Sequence, residues 1–139
     1  MKKQIPITEI MSTNPVTIDP SQSLYDVEEA LNRHGIRHIP VVEEDHLIGV
    51  ISRSDLLKIS VTDLNEDEDD VESVVYNMYT ISQVMTKVPV FIDKNYTIKE
   101  AAELLIKQSF HSLPVVEEGK LVGIVTSKDL IRYLIKLSE

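Results

Sequence analysis

Slid along itself by 74 positions, the sequence meets its own copy. Residues 7–57 lie over 81–131 without a gap, and 17 of the 51 paired positions are identical. ITEIMSTNPVTID meets ISQVMTKVPVFID, and HIPVVEEDHLIGVISRSDLL meets SLPVVEEGKLVGIVTSKDLI. Ten of the remaining 34 pairs exchange one apolar residue for another. An ungapped match of this length marks an internal duplication, and duplication narrows the fold more than any other feature. One copy, about 50 residues, would be marginal alone, because so small a core buries too little surface. Two copies packed together supply the missing core.

Each copy reads the same way in secondary structure. A helical turn around Met11 or Met85 precedes a short extended piece, PVTI or PVFI. A helix then runs from about Leu24 to His34, with Leu24, Val27, Ala30 and Leu31 on one face. Its counterpart runs from Ile98 to about Lys107, with Ile98, Ala101, Leu104 and Leu105 in register. Gly35 suits a left-handed helix end, and Ser109 takes that place in the second copy. Two apolar strands follow, HIPVV with HLIGVI and SLPVV with KLVGIV, joined by turns of hairpin length. A closing helix begins near Asp55 or Asp129. The expected unit is β-α-β-β-α, and the expected class is α+β. The expected organisation is copy one over 1–60, a linker over 61–79 and copy two over 80–139. In the linker, Val71, Val74, Val75 and Met78 recur at helical spacing and predict a short connecting helix.

The net charge of −9 is local. Seven acids lie between Asp63 and Glu72, a window without Lys or Arg; the rest carries 16 acids against 14 bases. That window reads as a solvated, mobile linker. The body has no dense basic stripe of the kind nucleic acid requires, so no nucleic-acid partner is expected. No apolar run reaches the length of a membrane span. The start, MKKQIPITEIM, lacks an apolar segment behind its lysines, so a cytoplasmic location is expected. The absence of cysteine excludes disulfides, thiol catalysis and thiolate metal sites.

The candidate functional element is a hydroxyl residue three positions before an aspartate, Ser52 with Asp55 and Thr126 with Asp129. Spacing alone makes this a capping box, in which hydroxyl and carboxylate satisfy exposed backbone N–H groups. The same spacing opens the other helices, at Ser23 with Asp26 and Thr97 with Glu100. Combination argues for a site. A helix N-terminus after a strand offers N–H groups and a favourable dipole to phosphate. The hydroxyls of Ser52, Ser54, Thr126 and Ser127 lie beside it, with cations at Arg53, Lys128, Arg37, His38 and His111 nearby in sequence. A carboxylate in the same place accepts two bonds from a ribose diol. Such a constellation suits a nucleotide.

The landmarks IMSTNPVTI and VMTKVPVFI, GIRHIPVV and SFHSLPVV, LIGVISRSDL and LVGIVTSKDL, in that order and twice over, resemble a tandem pair of cystathionine β-synthase (CBS) domains, a Bateman module. The resemblance covers the chain except for its termini and the acidic window. It implies two repeats packed about a pseudo-two-fold axis, with clefts between them that bind adenosine-containing ligands: AMP, ADP, ATP, S-adenosylmethionine, NAD or cyclic di-AMP. It also implies residue roles. Asp55 and Asp129 match the ribose-binding aspartate, Ser52 and Thr126 the hydroxyl at the helix start, and Ser54 and Lys128 a phosphate-side position. Val16 and Val90 match residues beside the adenine. Ile36, Arg37, His38 and Pro40, and likewise Phe110, His111, Ser112 and Pro114, match the segment lining the base pocket. Arg37 and His111 fall where some members contact phosphate. The two copies differ in their cations, so their affinities are expected to differ. Histidine changes charge near neutral pH, which would make phosphate binding at His111 pH-sensitive.

Other features carry less. His34 and His46 stand singly near a helix end and a hairpin turn. Asp63, Asn65, Asp67 and Asp69 alternate as in a calcium loop, but Glu68 replaces the required glycine and Val74 the final acid, so no metal site is expected. No glycine-rich phosphate loop, HExxH or Ser/His/Asp arrangement occurs, so no enzyme is expected. The reading is a regulatory adenine-nucleotide sensor, homodimeric, passing its state to a protein effector. The alternative is a ligand-free interaction module whose SxxD motifs only cap helices.

Overall fold

The computed structural model describes residues 4–62, 76–87, 89–108 and 111–139. The acidic window, residues 71–75 of the expected connecting helix, Ser109 and Phe110 lie outside the described residues; 76–78 are helical. In chain order, a 3₁₀ turn (Ile7–Glu9) precedes α1 (Leu24–His34), β1 (His38–Glu43), β2 (His46–Ser52) and α2 (Arg53–Thr62). Then come α3 (Ile81–Val84), β3 (Thr86–Lys87), β4 (Ile92–Asp93), α4 (Ile98–Gln108), β5 (Ser112–Glu117), β6 (Lys120–Thr126) and α5 (Ser127–Leu137). The class is mixed α+β. Among the described residues, no helix is long and apolar enough to cross a membrane.

Local sequence explains these elements. Ser23 and Asp26 form a reciprocal capping box at the start of α1, which ends at Gly35 in the left-handed region at φ 61°. There the N–H of Ile36 donates to the Leu31 carbonyl at 3.0 Å, closing the helix. Leu24, Val27 and Leu31 are fully buried, as the helical spacing predicts. Both hairpins turn through two left-handed residues, Glu44 and Asp45 (φ 49° and 70°) or Glu118 and Gly119 (φ 51° and 83°). That is the mirror-image turn matching strand twist.

The chain divides into two compact units, Val16–Pro89, and Met1–Pro15 together with Val90–Glu139. In the first unit, Ile18 pairs in parallel with Val41 of β1, β1 pairs antiparallel with β2, and β3 lies antiparallel on the other edge of β2. Its core is Ile18, Leu24, Val27, Leu31, Ile39, Val41, Ile51, Leu56, Tyr76 and Ile81. Tyr76 donates a hydrogen bond to Glu28 and meets Tyr25 edge to face, centroids 5.0 Å apart. In the second unit, β4 runs parallel to β5, β5 pairs antiparallel with β6, and Ser12 bridges the far side of β6 at Ile124. Ile7, Ile92, Ala101, Leu105, Leu113, Val115 and Val125 form its core.

The units and the sequence copies therefore have different boundaries. Residues 80–89 belong by sequence to the second copy and pack in the first unit; residues 4–15 do the reverse. A methionine sits on a glycine at each place. A Cβ added to Gly49 would lie 2.4 Å from Met85 Sδ and 3.0 Å from the Thr86 carbonyl oxygen. One added to Gly123 would lie 2.6 Å from Met11 Sδ and 2.9 Å from the Ser12 carbonyl oxygen. Only glycine lets the methionine and the following backbone approach the strand this closely.

Candidate functional site

The candidate residues gather where each hairpin opens into its closing helix. In the first unit His38 pairs with Ser52 at the end of β1 and β2, and the Arg53 N–H donates to the Arg37 carbonyl at 2.8 Å. In the second, Ser112 pairs with Thr126, and the Ser127 N–H donates to the His111 carbonyl at 2.9 Å. Ser127 Oγ adds a second bond to that carbonyl at 3.1 Å. The segment before the first hairpin strand is thus fastened to the helix start, which brings Ile36, Arg37 and His38 beside Ser52, Ser54 and Asp55. His111 and Ser112 come beside Thr126, Lys128 and Asp129 in the same way.

Pro40 and Pro114 are buried farther along, opposite Val50 and Ile124. Ile18 pairs with Val41 and Ile92 with Val115, so Val16 and Val90 lie level with Ile39 and Leu113, near the open end of each hairpin. Val16 packs partly against the first core, whereas Val90 is exposed. Phe110 lies outside the described residues.

Both SxxD motifs close as capping boxes. The Ser52 N–H donates to Asp55 Oδ2 at 2.8 Å and the Asp55 N–H to Ser52 Oγ at 3.1 Å. The Thr126 N–H and hydroxyl donate to Asp129 Oδ2 at 2.8 and 3.1 Å, and the Asp129 N–H donates to Thr126 Oγ1 at 3.2 Å. The helices begin at Arg53 and Ser127, two residues before the aspartates expected to open them, because Ser52 and Thr126 are the caps. In each first turn the first and third amides are therefore engaged within the chain, which leaves less of the helix N-terminus for an anion than the pattern suggests.

Sequence reasoning missed what holds the other oxygen of Asp129. Arg132 Nη1 donates to Asp129 Oδ1 at 3.2 Å; the arginine side chain is 72% exposed and the aspartate's 9%. Asp129 is the buried charged residue of the described chain, and Asp55 is half-buried. The i,i+3 spacing of acid and base on one helix was the available signal. Asp129 and Arg132 also line an open groove of about 530 Å³ in the second unit, with Glu9, Ile10, Tyr133, Lys136 and Leu137. Among the described residues, no group of three His, Asp or Glu side chains is placed to hold a metal ion. A diol or phosphate ligand fits this chemistry of carboxylate, hydroxyls and cations.

The family model for the CBS domain matches residues 7–62 and again 81–136. The chain belongs to the CBS domain family. This CBS pair is 33% identical to an uncharacterised protein of Methanocaldococcus jannaschii, a match covering 93% of this chain and 90% of that one. A second protein from that organism is 27% identical, and the match covers 91% of this chain but only 46% of the relative. Among solved structures, CBSX2 in complex with AMP superposes with a TM-score of 0.81 at 26% identity, covering 97% of this chain and 99% of that one. The CBS domain pair of protein MJ0100, in complex with 5′-methylthioadenosine and S-adenosyl-L-methionine, gives 0.75 at 26% identity, covering 96% and 98%.

Proposed function

We propose that this CBS pair is a regulatory module that binds an adenosine-containing ligand at its strand-to-helix junctions and passes that state to a protein effector. Asp55 and Asp129 take the ribose diol; Ser52 and Thr126 hold those carboxylates in place. Arg37, Ser54, His111 and Lys128 supply polar and cationic contacts to the phosphate side. Val16, Ile36, His38, Pro40, Val90, Phe110, Ser112 and Pro114 line the base. The observation that carries this reading is the Asp129 carboxylate, almost wholly buried and fixed through one oxygen by Thr126, with the other held, among the described residues, by an exposed arginine. Solved relatives with AMP or with 5′-methylthioadenosine and S-adenosylmethionine support the ligand class. ADP, ATP, NAD and cyclic di-AMP share the adenosyl group. Binding stabilises one arrangement of the molecule over others, which is what a sensor needs.

Calorimetric titration with AMP of the wild type, Asp55→Asn and Asp129→Asn tests it. Ser52 and Thr126 still cap the helices in these variants, and an asparagine side-chain oxygen can still accept from their N–H groups, so a loss of affinity reports a lost ligand contact. Equal binding by all three would overturn the assignment.

The complete capping boxes favour a second reading, an interaction module without ligand. In that case Asp55→Ala and Asp129→Ala lose stability and change no ligand affinity.

The module acts as a homodimer in our reading. On α5, Ile131, Leu134 and Ile135 are 56%, 64% and 58% exposed and recur at one-face spacing. A two-fold interface sets a patch against itself. Antiparallel pairing of this helix with its copy would bring the Lys128 end of one to the Glu139 end of the other.

A further inference from the structure

We propose that Arg132 is the specificity-determining residue of the second-copy site, exchanging the Asp129 carboxylate it holds here for a ligand phosphate. The proposal rests on the assignment of Asp129 to a ribose diol. A carboxylate offers about four lone-pair positions. Asp129 Oδ2 accepts from the Thr126 N–H and hydroxyl, and Oδ1 accepts from Arg132. Two diol hydroxyls arriving together are one position short, and the position that yields is the one Arg132 fills. The Thr126 contacts belong to the helix cap and are made by its backbone and by a hydroxyl on the same residue. Arg132 reaches Asp129 by a long side chain that is 72% exposed, at 3.2 Å.

The displaced guanidinium stays in the groove that Asp129 lines, with Lys136 one turn farther along α5. A nucleotide held by its diol on Asp129 presents its phosphate to that cationic stretch. Arginine binds phosphate oxygens through two parallel N–H bonds. For a phosphorylated ligand the ion pair lost at Asp129 is replaced by a stronger one. For a bare nucleoside it is lost without replacement, so Arg132 acts there as a competitor. Glu9 faces the same groove, and the formal charges of Glu9, Asp129, Arg132 and Lys136 balance. That balance suits a monophosphate better than a triphosphate. The corresponding position of the first copy, 74 residues earlier, is Lys58. Lysine is a point charge without the planar fork, so the first copy discriminates less.

The test is calorimetric titration of the full chain with AMP and with adenosine, in an Asp55→Asn background so that the second-copy site reports. Arg132→Gln keeps a good helix former at an exposed position. The expected result is AMP affinity about tenfold weaker, with adenosine affinity unchanged or raised. Equal changes for both ligands, or none for either, overturn the assignment of Arg132. A loss of AMP affinity in Lys128→Gln with none in Arg132→Gln leaves the phosphate to the helix start alone and overturns the role of Arg132 too. If the parent binds AMP and Asp129→Asn abolishes this, the diol assignment stands whichever way Arg132 falls. If the parent binds neither ligand, the diol assignment fails and the role of Arg132 fails with it.

Discussion

Glycine at 49 and 123 is fixed by contact, since the space where a side chain would begin is already filled by Met85 and Met11 and by main-chain oxygen. A backbone atom cannot move aside as a flexible side chain can. Gly49→Ala and Gly123→Ala are therefore each expected to lower stability by about 1–3 kcal/mol, read by urea unfolding; unchanged midpoints would show that the strands yield. The hairpin turns give the opposite sign. Asp45 occupies a left-handed position where the second copy has Gly119, and an L-residue with a side chain is strained there by about 1 kcal/mol. Asp45→Gly should raise the unfolding midpoint, and a fall would mean that the aspartate side chain supports the turn. The spacing of Arg132 from Asp129 was visible in the sequence, but an exposed i,i+3 pair on a helix is common and of small worth. Only the burial of its partner gives it weight.

At the scale of elements, the helices were legible because two local signals agreed. The apolar face of α1 emerged with Leu24, Val27 and Leu31 buried, and Ser23, Thr97 and Thr126 cap as their spacing requires. The junction residues were also legible, because His38 and Ser52, or Ser112 and Thr126, meet wherever the hairpin forms with its two-residue turn. What periodicity could not show is which sheet the leading segment of each copy completes. An apolar segment states that it needs cover and does not state whose. Ile7 is fully buried in the second core and Ile81 in the first, each across the copy boundary. Ile7→Ala should cost about 2–5 kcal/mol. The loss of amide protection should fall in β5 and β6, although the mutated residue lies in the first copy. Protection lost first around β1 and β2 would contradict the exchange. Ser52→Ala and Thr126→Ala should each cost about 1 kcal/mol through the cap alone, and this sets the baseline against which ligand effects at Asp55 and Asp129 are judged.

For the whole molecule, duplication answers the problem of size, since each unit borrows a segment of the other copy to complete its sheet and core. The same reasoning makes the isolated fragment 80–139 unstable, because it lacks Ile7, Met11 and Ser12. The exposed apolar stripe of α5 gives a further expectation: Ile135→Glu should convert a dimer into a monomer in light scattering, and an unchanged mass would place the interface elsewhere. The central claim is that an adenosyl ligand engages Asp55 and Asp129. Its most direct test is a thermal-shift panel of AMP, ADP, ATP, S-adenosylmethionine, NAD and cyclic di-AMP on the wild type and on the Asp55→Asn, Asp129→Asn double variant. At a ligand concentration near 100 times its dissociation constant, stabilisation should be about 2.7 kcal/mol. In a chain of this size that raises the midpoint by on the order of 5 °C. The account predicts such a shift for at least one adenosyl ligand in the wild type and its loss in the double variant. A flat panel, or a shift that survives in the double variant, would contradict it.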